Sequence, residues 1–348
     1  MNAAANAPVP VGVIGLGRSG WGIHINAMRP MPENFKIVGV TDPNAARCKE
    51  ATDEFGCKVY QSVDQMLADK GVELVVVASL NRMHPPHAIQ AMEAGKNVVC
   101  EKPMAADAAE ADRMIAVSKK TGKMLAVFQN RRYAPDFVKV KEVIDSGKLG
   151  RIVMIKMMAH GFSRRWDWQT LKEFGGGALN NTGPHFVDQA LQLFGPAEPN
   201  IFCHMENVLS SGDAEDHVKV VFSAPKSPMI DLEITSACAY GQGNWLVMGS
   251  SGGLKGTMGE LEWKYVDFSK MPPRPIDRTS TPDRSYNRED LTWTEEKWEK
   301  SNDFPGEATC FYRDLYETIR NAKPLHITPE SVRRQIAILE KCHQLSPV

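Results

Sequence analysis

The sequence predicts an α/β protein in two parts, a doubly wound parallel sheet followed by a second α/β region with a large, mostly antiparallel sheet. Three observations predict it. Short apolar runs alternate with helical patterns over residues 1–129, as in a parallel sheet covered by helices. After Gly150 strand-like runs follow one another with few helices between them. The 348 residues are about twice the usual ~150-residue domain. The division therefore falls at 1–129 and 130–348.

In the first part Val9–Ile14, Lys36–Val40, Glu73–Ala78, Asn97–Cys100 and Met124–Phe128 read as strands. Their near-continuous Val/Ile content marks strands buried on both faces. Ala45–Phe55, Ser62–Ala68, Pro86–Ala94 and Asp107–Thr121 carry helical spacing; in the last, Ala108, Ala111, Met114, Ile115 and Ser118 share a face. In the second part the strands are Arg151–Ala159, Asn200–Val208, His217–Phe222, Ile230–Ala237, Trp245–Met248 and Leu261–Phe268, interrupted by one helix, Thr182–Phe194. Helices Glu307–Asn321 and Pro329–Gln344 close the chain. An antiparallel sheet with one open face needs a cover, and a second subunit is a common one, so a homo-oligomer is expected. Ser269–Thr292, with four prolines and only Met271, Ile276 and Leu291 as aliphatics, reads as a surface excursion: a lid, an oligomer arm or a solvated loop.

Composition excludes several classes. The charges, 41 basic against 42 acidic, give a net −1, too little to draw the chain to nucleic acid or an anionic membrane. The longest apolar run, Leu74–Leu80, is far short of the ~20 residues that span a bilayer. Met1–Pro10 has no basic residue and no apolar core, so it does not read as a secretory signal. Seven scattered cysteines without a Cys-x-x-Cys pair exclude a zinc ribbon, leave no metal site expected, and point to reduced thiols in a cytoplasm.

Gly15, Gly17 and Gly20 form Gly-x-Gly-x-x-Gly directly after the first strand. The first glycine permits the turn, the second admits a pyrophosphate to the backbone, and the third lets the next helix pack close. Asp42 closes the second strand. A carboxylate there binds ribose hydroxyls and repels a 2′-phosphate, favouring NAD over NADP; an Asp capping the next helix would look the same.

Two further segments are Cys100-Glu101-Lys102-Pro103 and Gly175-Gly176-Gly177-Ala178-Leu179-Asn180-Asn181-Thr182-Gly183-Pro184-His185. With the glycine loop, with Asn81-x-x-His84 and with Asn130-Arg131-Arg132-Tyr133-Ala134-Pro135, they resemble the Gfo/Idh/MocA oxidoreductases, named for glucose–fructose oxidoreductase and inositol dehydrogenase. The resemblance covers nearly the whole chain. It implies a Rossmann domain, a second domain with a large open sheet, and hydride transfer between a sugar or polyol carbon and a nicotinamide. It implies that Lys102 lies between nicotinamide and reacting hydroxyl, that Glu101 helps hold the cofactor end, that His185 meets the substrate hydroxyl, and that Asn81 and His84 lie near the nicotinamide ribose. The glycine-to-histidine segment looks like that of members oxidising ring carbon 3 of glycosides.

The chemistry asks for the same residue types. Removing a hydride from a secondary alcohol requires a base for the hydroxyl proton, and imidazole serves near neutral pH. An ammonium beside the same oxygen stabilises alkoxide charge. Taken alone, Lys102 also reads as a surface lysine before a turn proline, and His185 as a core histidine. The sequence departs from the family at Asn181, where an aspartate usually precedes the histidine by one turn. A carboxamide cannot take a proton, so either His185 acts alone, oriented by Asn181, or Lys102 is the base; Asp188 reads as structural. Tyr133, Arg132, Trp166, Asp167 and Trp168 are expected at the cleft, aromatic faces suiting sugar C–H surfaces and Arg or Asp suiting hydroxyls or a carboxylate. Three activities fit: a dehydrogenase of a sugar, polyol or glycoside, a glycosidase using tightly held NAD transiently, and a non-catalytic NAD sensor.

Overall fold

The structure, a computed structural model, describes residues 7–281 and 284–348. Part of the expected non-signal stretch (residues 1–6) and two residues of the excursion (282 and 283) lie outside the described residues.

The first sheet contains β1 (Val9–Ile14), β2 (Phe35–Thr41), β3 (Lys58–Val59), β4 (Leu74–Val77), β5 (Asn97–Cys100) and β6 (Leu125–Val127), in the order β3-β2-β1-β4-β5-β6 and parallel throughout. The strand order reverses beside β1, and in such sheets the crevice outside the carboxyl ends at the reversal is where ligands bind. The helices are α1 (Asn26–Met28), α2 (Ala45–Phe55), α3 (Val63–Ala68), α4 (His84–Glu93) and α5 (Ala108–Thr121). Caps set their starts: Asn44, Ser62 and Asp107 each accept backbone N–H bonds from the following turn. All four side chains of β4 are buried, as strands covered on both faces require.

After a 3₁₀ turn, Asn130–Tyr133, come α6 (Pro135–Asp145) and β7 (Ile152–His160). The helix expected over Thr182–Phe194 is two, α7 (Ala178–Asn181) and α8 (Gly183–Phe194). Pro184 lacks an N–H and therefore opens a helix rather than continuing one. The remaining elements are β8 (Asn200–Glu206), β9 (His217–Ser223), β10 (Met229–Thr235), β11 (Trp245–Gly249), β12 (Gly252–Gly256), β13 (Glu260–Tyr265), β14 (Thr294–Glu299), α9 (Glu307–Asn321) and α10 (Pro329–Leu345). The eight-stranded sheet runs β14-β13-β12-β11-β7-β10-β9-β8, with β7 and β10 its one parallel pair.

Alternate residues of this sheet, among them Ile155, Met157, Val220, Leu232 and Val247, are buried on one face. The other face carries a cross-strand row of Met229, Met154 and Met248, of which Met229 and Met248 are exposed. The excursion joins β13 to β14, so its far end returns as the sheet's edge strand. Although they belong to the later chain, α9 and α10 pack on the first layer. Tyr312 lies against Phe35 and Phe128, and Arg333 of α10 pairs with Asp112 of α5 at 2.8 Å. No described helix is long and apolar enough to cross a membrane.

Candidate active site

The glycine loop has the shape its spacing predicts. Gly15 takes φ +91°, and a Cβ there would stand 2.5 Å from the Ala78 carbonyl oxygen; one on Gly20 would stand 1.9 Å from that of Gly15. Neither position admits a side chain without moving backbone. At Gly17, by contrast, the nearest neighbour of a Cβ is Arg47 Nη1 at 4.0 Å, so the middle glycine faces open space. Closed at both ends and open in the middle, the cradle fits a dinucleotide pyrophosphate. The following turn, Gly20–Ile25, is a π-helix leading into α1.

Asp42 closes this end of the crevice. Its Oδ2 accepts from Leu16 N at 2.6 Å and its Oδ1 from Asn44 N at 2.8 Å, while Arg47 Nη1 stands 3.8 Å away. The cap of α2 is Asn44, so Asp42 ties the glycine loop to the end of β2 instead.

Asn81 begins a 3₁₀ turn after β4, and its Nδ2 lies 3.9 Å from where a Gly175 Cβ would sit. His84 is buried, with Nδ1 2.8 Å from the Pro103 carbonyl and Nε2 3.1 Å from that of Ser79. Burial pushes the ring's pKa down, against the pull of those carbonyls and of Glu101. It acts as a strut between the loops after β4 and β5. Glu101 is also buried. Burial alone would raise its carboxyl, but His24 and then Lys102 outweigh it and hold it at about 2.

The first and second layers meet at Lys102. Its Nζ donates to the Asn181 carbonyl oxygen at 2.9 Å, across 79 residues of chain. Burial lowers the lysine's pKa; Glu101 opposes this and Arg18 and Arg131 add to it. His185, one turn beyond Asn181, is driven well below the ordinary imidazole value, by burial first and then by Lys102 and Arg131. The imidazole is therefore neutral near pH 7, and its Nδ1 is buried with no hydrogen-bond partner among the described residues. The Asn181 side chain lies 3.4 Å from the Gln169 amide; Asn181 meets Lys102 through its backbone, and its side chain is occupied elsewhere than at His185.

Beside Asn181 opens a cavity of ≈ 370 Å³. Arg131, His160, Arg165, Gln169, Thr182 and Asn244 are among its lining residues; Lys102 and His185 are not, although Lys102 reaches the backbone carbonyl of Asn181, which is. The sequence missed Arg131 and Glu215. Glu215 accepts from Leu179 N at 2.9 Å, and a Cβ on Gly177 would strike its carboxylate at 2.2 Å, so that glycine lets Glu215 hold the start of α7.

Five residues expected at the cleft lie elsewhere. Arg132 is buried in a two-point ion pair with Asp188, Nε to Oδ2 at 2.7 Å and Nη2 to Oδ1 at 2.6 Å. The 3₁₀ turn directs its neighbour Arg131 to the cavity in its place. Tyr133 donates to Asp314 Oδ2 at 2.8 Å and packs on His326, so it braces α9. Trp166, Asp167 and Trp168 are not on the cavity wall. Trp166 is 79% exposed, Asp167 pairs with Arg165 at 2.7 Å, and Trp168 meets Phe174 edge-on.

Comparison with known proteins agrees with this architecture. Residues 9–129 match the model of an oxidoreductase family with an NAD-binding Rossmann fold, and residues 137–255 match the C-terminal domain of the Gfo/Idh/MocA family. An uncharacterised oxidoreductase of Schizosaccharomyces pombe is 34% identical over 234 residues, which are 66% of this chain and 63% of that protein; the match thus spans less than two thirds of that relative. A scyllo-inositol 2-dehydrogenase (NADP(+)) of Bacillus subtilis is 25% identical over 97% of this chain and 94% of its own. Among solved structures, the WlbA dehydrogenase of Bordetella pertussis, in complex with NADH and UDP-GlcNAcA, superposes with a TM-score of 0.78 at 22% identity, covering 97% of this chain and 95% of that one.

Proposed function

This chain belongs to the Gfo/Idh/MocA oxidoreductase family, and from that premise we propose that it oxidises a secondary alcohol of a sugar, polyol or glycoside with NAD. The observation that supports the reading is the Lys102–Asn181 contact, one helical turn from His185, whose ring feels the charge of Lys102. Gly15, Gly17, Gly20 and Asp42 would hold NAD, with Asn81 and Glu101 at its other end, and the bound cofactor would supply the hydride acceptor.

The chain supplies the rest. His185, uncharged because burial and two nearby cations disfavour its protonated form, accepts the hydroxyl proton. Lys102 remains an ammonium and stabilises the negative charge left on that oxygen. Arg131 adds positive charge to the same region; the only contact made by its guanidinium among those described is with Met258 Sδ, at 3.6 Å, which leaves its donors for substrate oxygens. A cavity of ≈ 370 Å³ lined by amide, hydroxyl and guanidinium groups matches a hydroxyl-rich ring. Asp42 favours NAD over NADP by its charge.

The outward face of the eight-stranded sheet, with its methionine row, is where copies of the chain associate. Met248→Glu there should halve the particle mass in light scattering; an unchanged mass would refute that interface.

The function is tested by incubating the protein and NAD with a panel of sugars, polyols and glycosides. Net NADH absorbance supports the dehydrogenase. Aglycone release without net NADH would replace it with a hydrolase, and dinucleotide binding with neither product would make the chain a sensor.

A further inference from the structure

Beneath the catalytic lysine lies a fully buried chain of polar groups that the hydride transfer does not itself require. His24, in the π-helical turn after the glycine loop, is wholly inaccessible, as is Tyr312 of α9. The Tyr312 hydroxyl is 2.7 Å from His24 Nδ1. On the other side of the ring, Nε2 stands 3.3 Å from Glu101 Oε1, close to it but off the line of a full hydrogen bond. Glu101 Oε2 in turn accepts the backbone N–H of Lys102 at 2.8 Å. The ring also packs on Phe128, centroids 4.3 Å apart, so it has little freedom to turn.

The order of donors along this chain follows from chemistry. Burial and the Glu101 charge drive the Tyr312 phenol well above its ordinary pKa, so it keeps its proton and is able to donate it to Nδ1. The Glu101 carboxylate can only accept, so the ring nitrogen that faces it, Nε2, carries a proton. We propose that His24 and Tyr312 are positioning residues for Lys102: the Tyr312 hydroxyl selects the His24 tautomer, and His24 holds the Glu101 carboxylate against the Lys102 amide. The arrangement keeps one anion next to an ammonium otherwise surrounded by Arg18, Arg131 and the His185 ring. Besides His24 and Lys102, Glu101 faces His84, Cys100 and Tyr312; none of these replaces the Nε2 proton. Helix α9, remote in sequence, thereby reaches the reacting centre.

The inference rests on Lys102 being the active-site lysine, and its test is readable without turnover. Competitive labelling with acetic anhydride across pH, followed by mass spectrometry, gives the titration midpoint of Lys102. In His24→Phe, Glu101 loses the group that holds its carboxylate against the Lys102 amide, and the anion is no longer fixed beside the Lys102 ammonium. Its midpoint should fall by about one pH unit, a change worth tenfold in an equilibrium. His24→Gln, whose amide still donates toward Glu101, should restore most of the shift. Tyr312→Phe, the near-isosteric change used should His24→Phe not fold, should give a smaller shift in the same direction. Kinetics with the substrate that the panel identifies should show kcat falling about tenfold with KM unchanged, and the alkaline limb moving to lower pH. An unmoved Lys102 midpoint in His24→Phe, or in Tyr312→Phe where His24→Phe does not fold, overturns the proposal, whatever happens to thermal stability. A shifted midpoint in a protein that turns over no substrate would sink the dehydrogenase reading and leave this one standing.

Discussion

The two walls of the cleft are built on different principles. The wall after β1 and β2 is backbone: three glycines whose missing side chains define a space, and one carboxylate whose oxygens are taken by amides. The wall where Lys102 meets the start of α7 and α8 is ionisable side chain, with Lys102 and His185 kept from ordinary protonation behaviour by burial and by neighbouring charges. Shape governs the first and charge the second. Substitutions should therefore separate cleanly: changes in the cradle should alter dinucleotide affinity, and changes at the junction should alter the rate at saturation.

The largest break in that contrast is Lys102→Met. It removes the ammonium and leaves the cradle untouched, so kcat should fall by roughly 10³, the scale for losing an oxyanion stabiliser, while NAD affinity measured by calorimetry stays within about threefold. A comparable loss of affinity would mean that the junction also binds cofactor. Gly20→Val is the complementary experiment. Its side chain meets the Gly15 carbonyl, and the calorimetric signal for NAD should disappear while the circular dichroism of the second sheet persists.

A finer test concerns Asp42. With the carboxylate gone in Asp42→Ala, Arg47 Nη1, now 3.8 Å away, is free to meet a 2′-phosphate. The ratio of kcat/KM for NADP over NAD should rise about tenfold, or ~1.4 kcal/mol. No change in the ratio would deny Asp42 its part in cofactor choice.

The smallest effect is expected at Asn181. The wild-type profile of kcat/KM against pH should be a bell. His185 must be neutral and its pKa is depressed, so the acid limb lies below pH 6.5. Lys102 must be charged and its pKa is also depressed, so the alkaline limb lies below pH 10.5. Asn181→Asp places a carboxylate one turn before the imidazole, stabilises its protonated form, and should move the acid limb upward by about half a unit. A profile that does not move would show the two side chains to be independent.

What the sequence disclosed follows the same division. Strands buried on both faces announce themselves by unbroken aliphatic runs, and β1 and β5 have the bounds expected of them. Among the strands it concealed are β12, Gly-Gly-Leu-Lys-Gly, and β14, Thr-Glu-Glu-Lys-Trp-Glu. Both belong to the edge half of a sheet with one solvated face, where pairing with neighbours holds the strand and side-chain apolarity is low. Helix α6 escaped although Phe137, Val140 and Val143 are buried at three-residue intervals. At the candidate site, Lys102 and Asn181, which the structure brings together, stood out because each sits in a distinctive short segment. The exchange of Arg132 for Arg131 did not. Which of two adjacent arginines faces a cavity depends on the rotation of a single 3₁₀ turn and on an Asp188 partner 56 residues away, and no local pattern records either.

The return of α9 to the first layer has a consequence for how the molecule is made. On the ribosome, β1 to β6 emerge long before residues 307–321, so the nascent parallel sheet waits with Phe35 and Phe128 uncovered until Phe311 and Tyr312 arrive to cap them. The half that binds the dinucleotide is thus begun first and sealed last, and its maturation is timed by translation of the far end of the message.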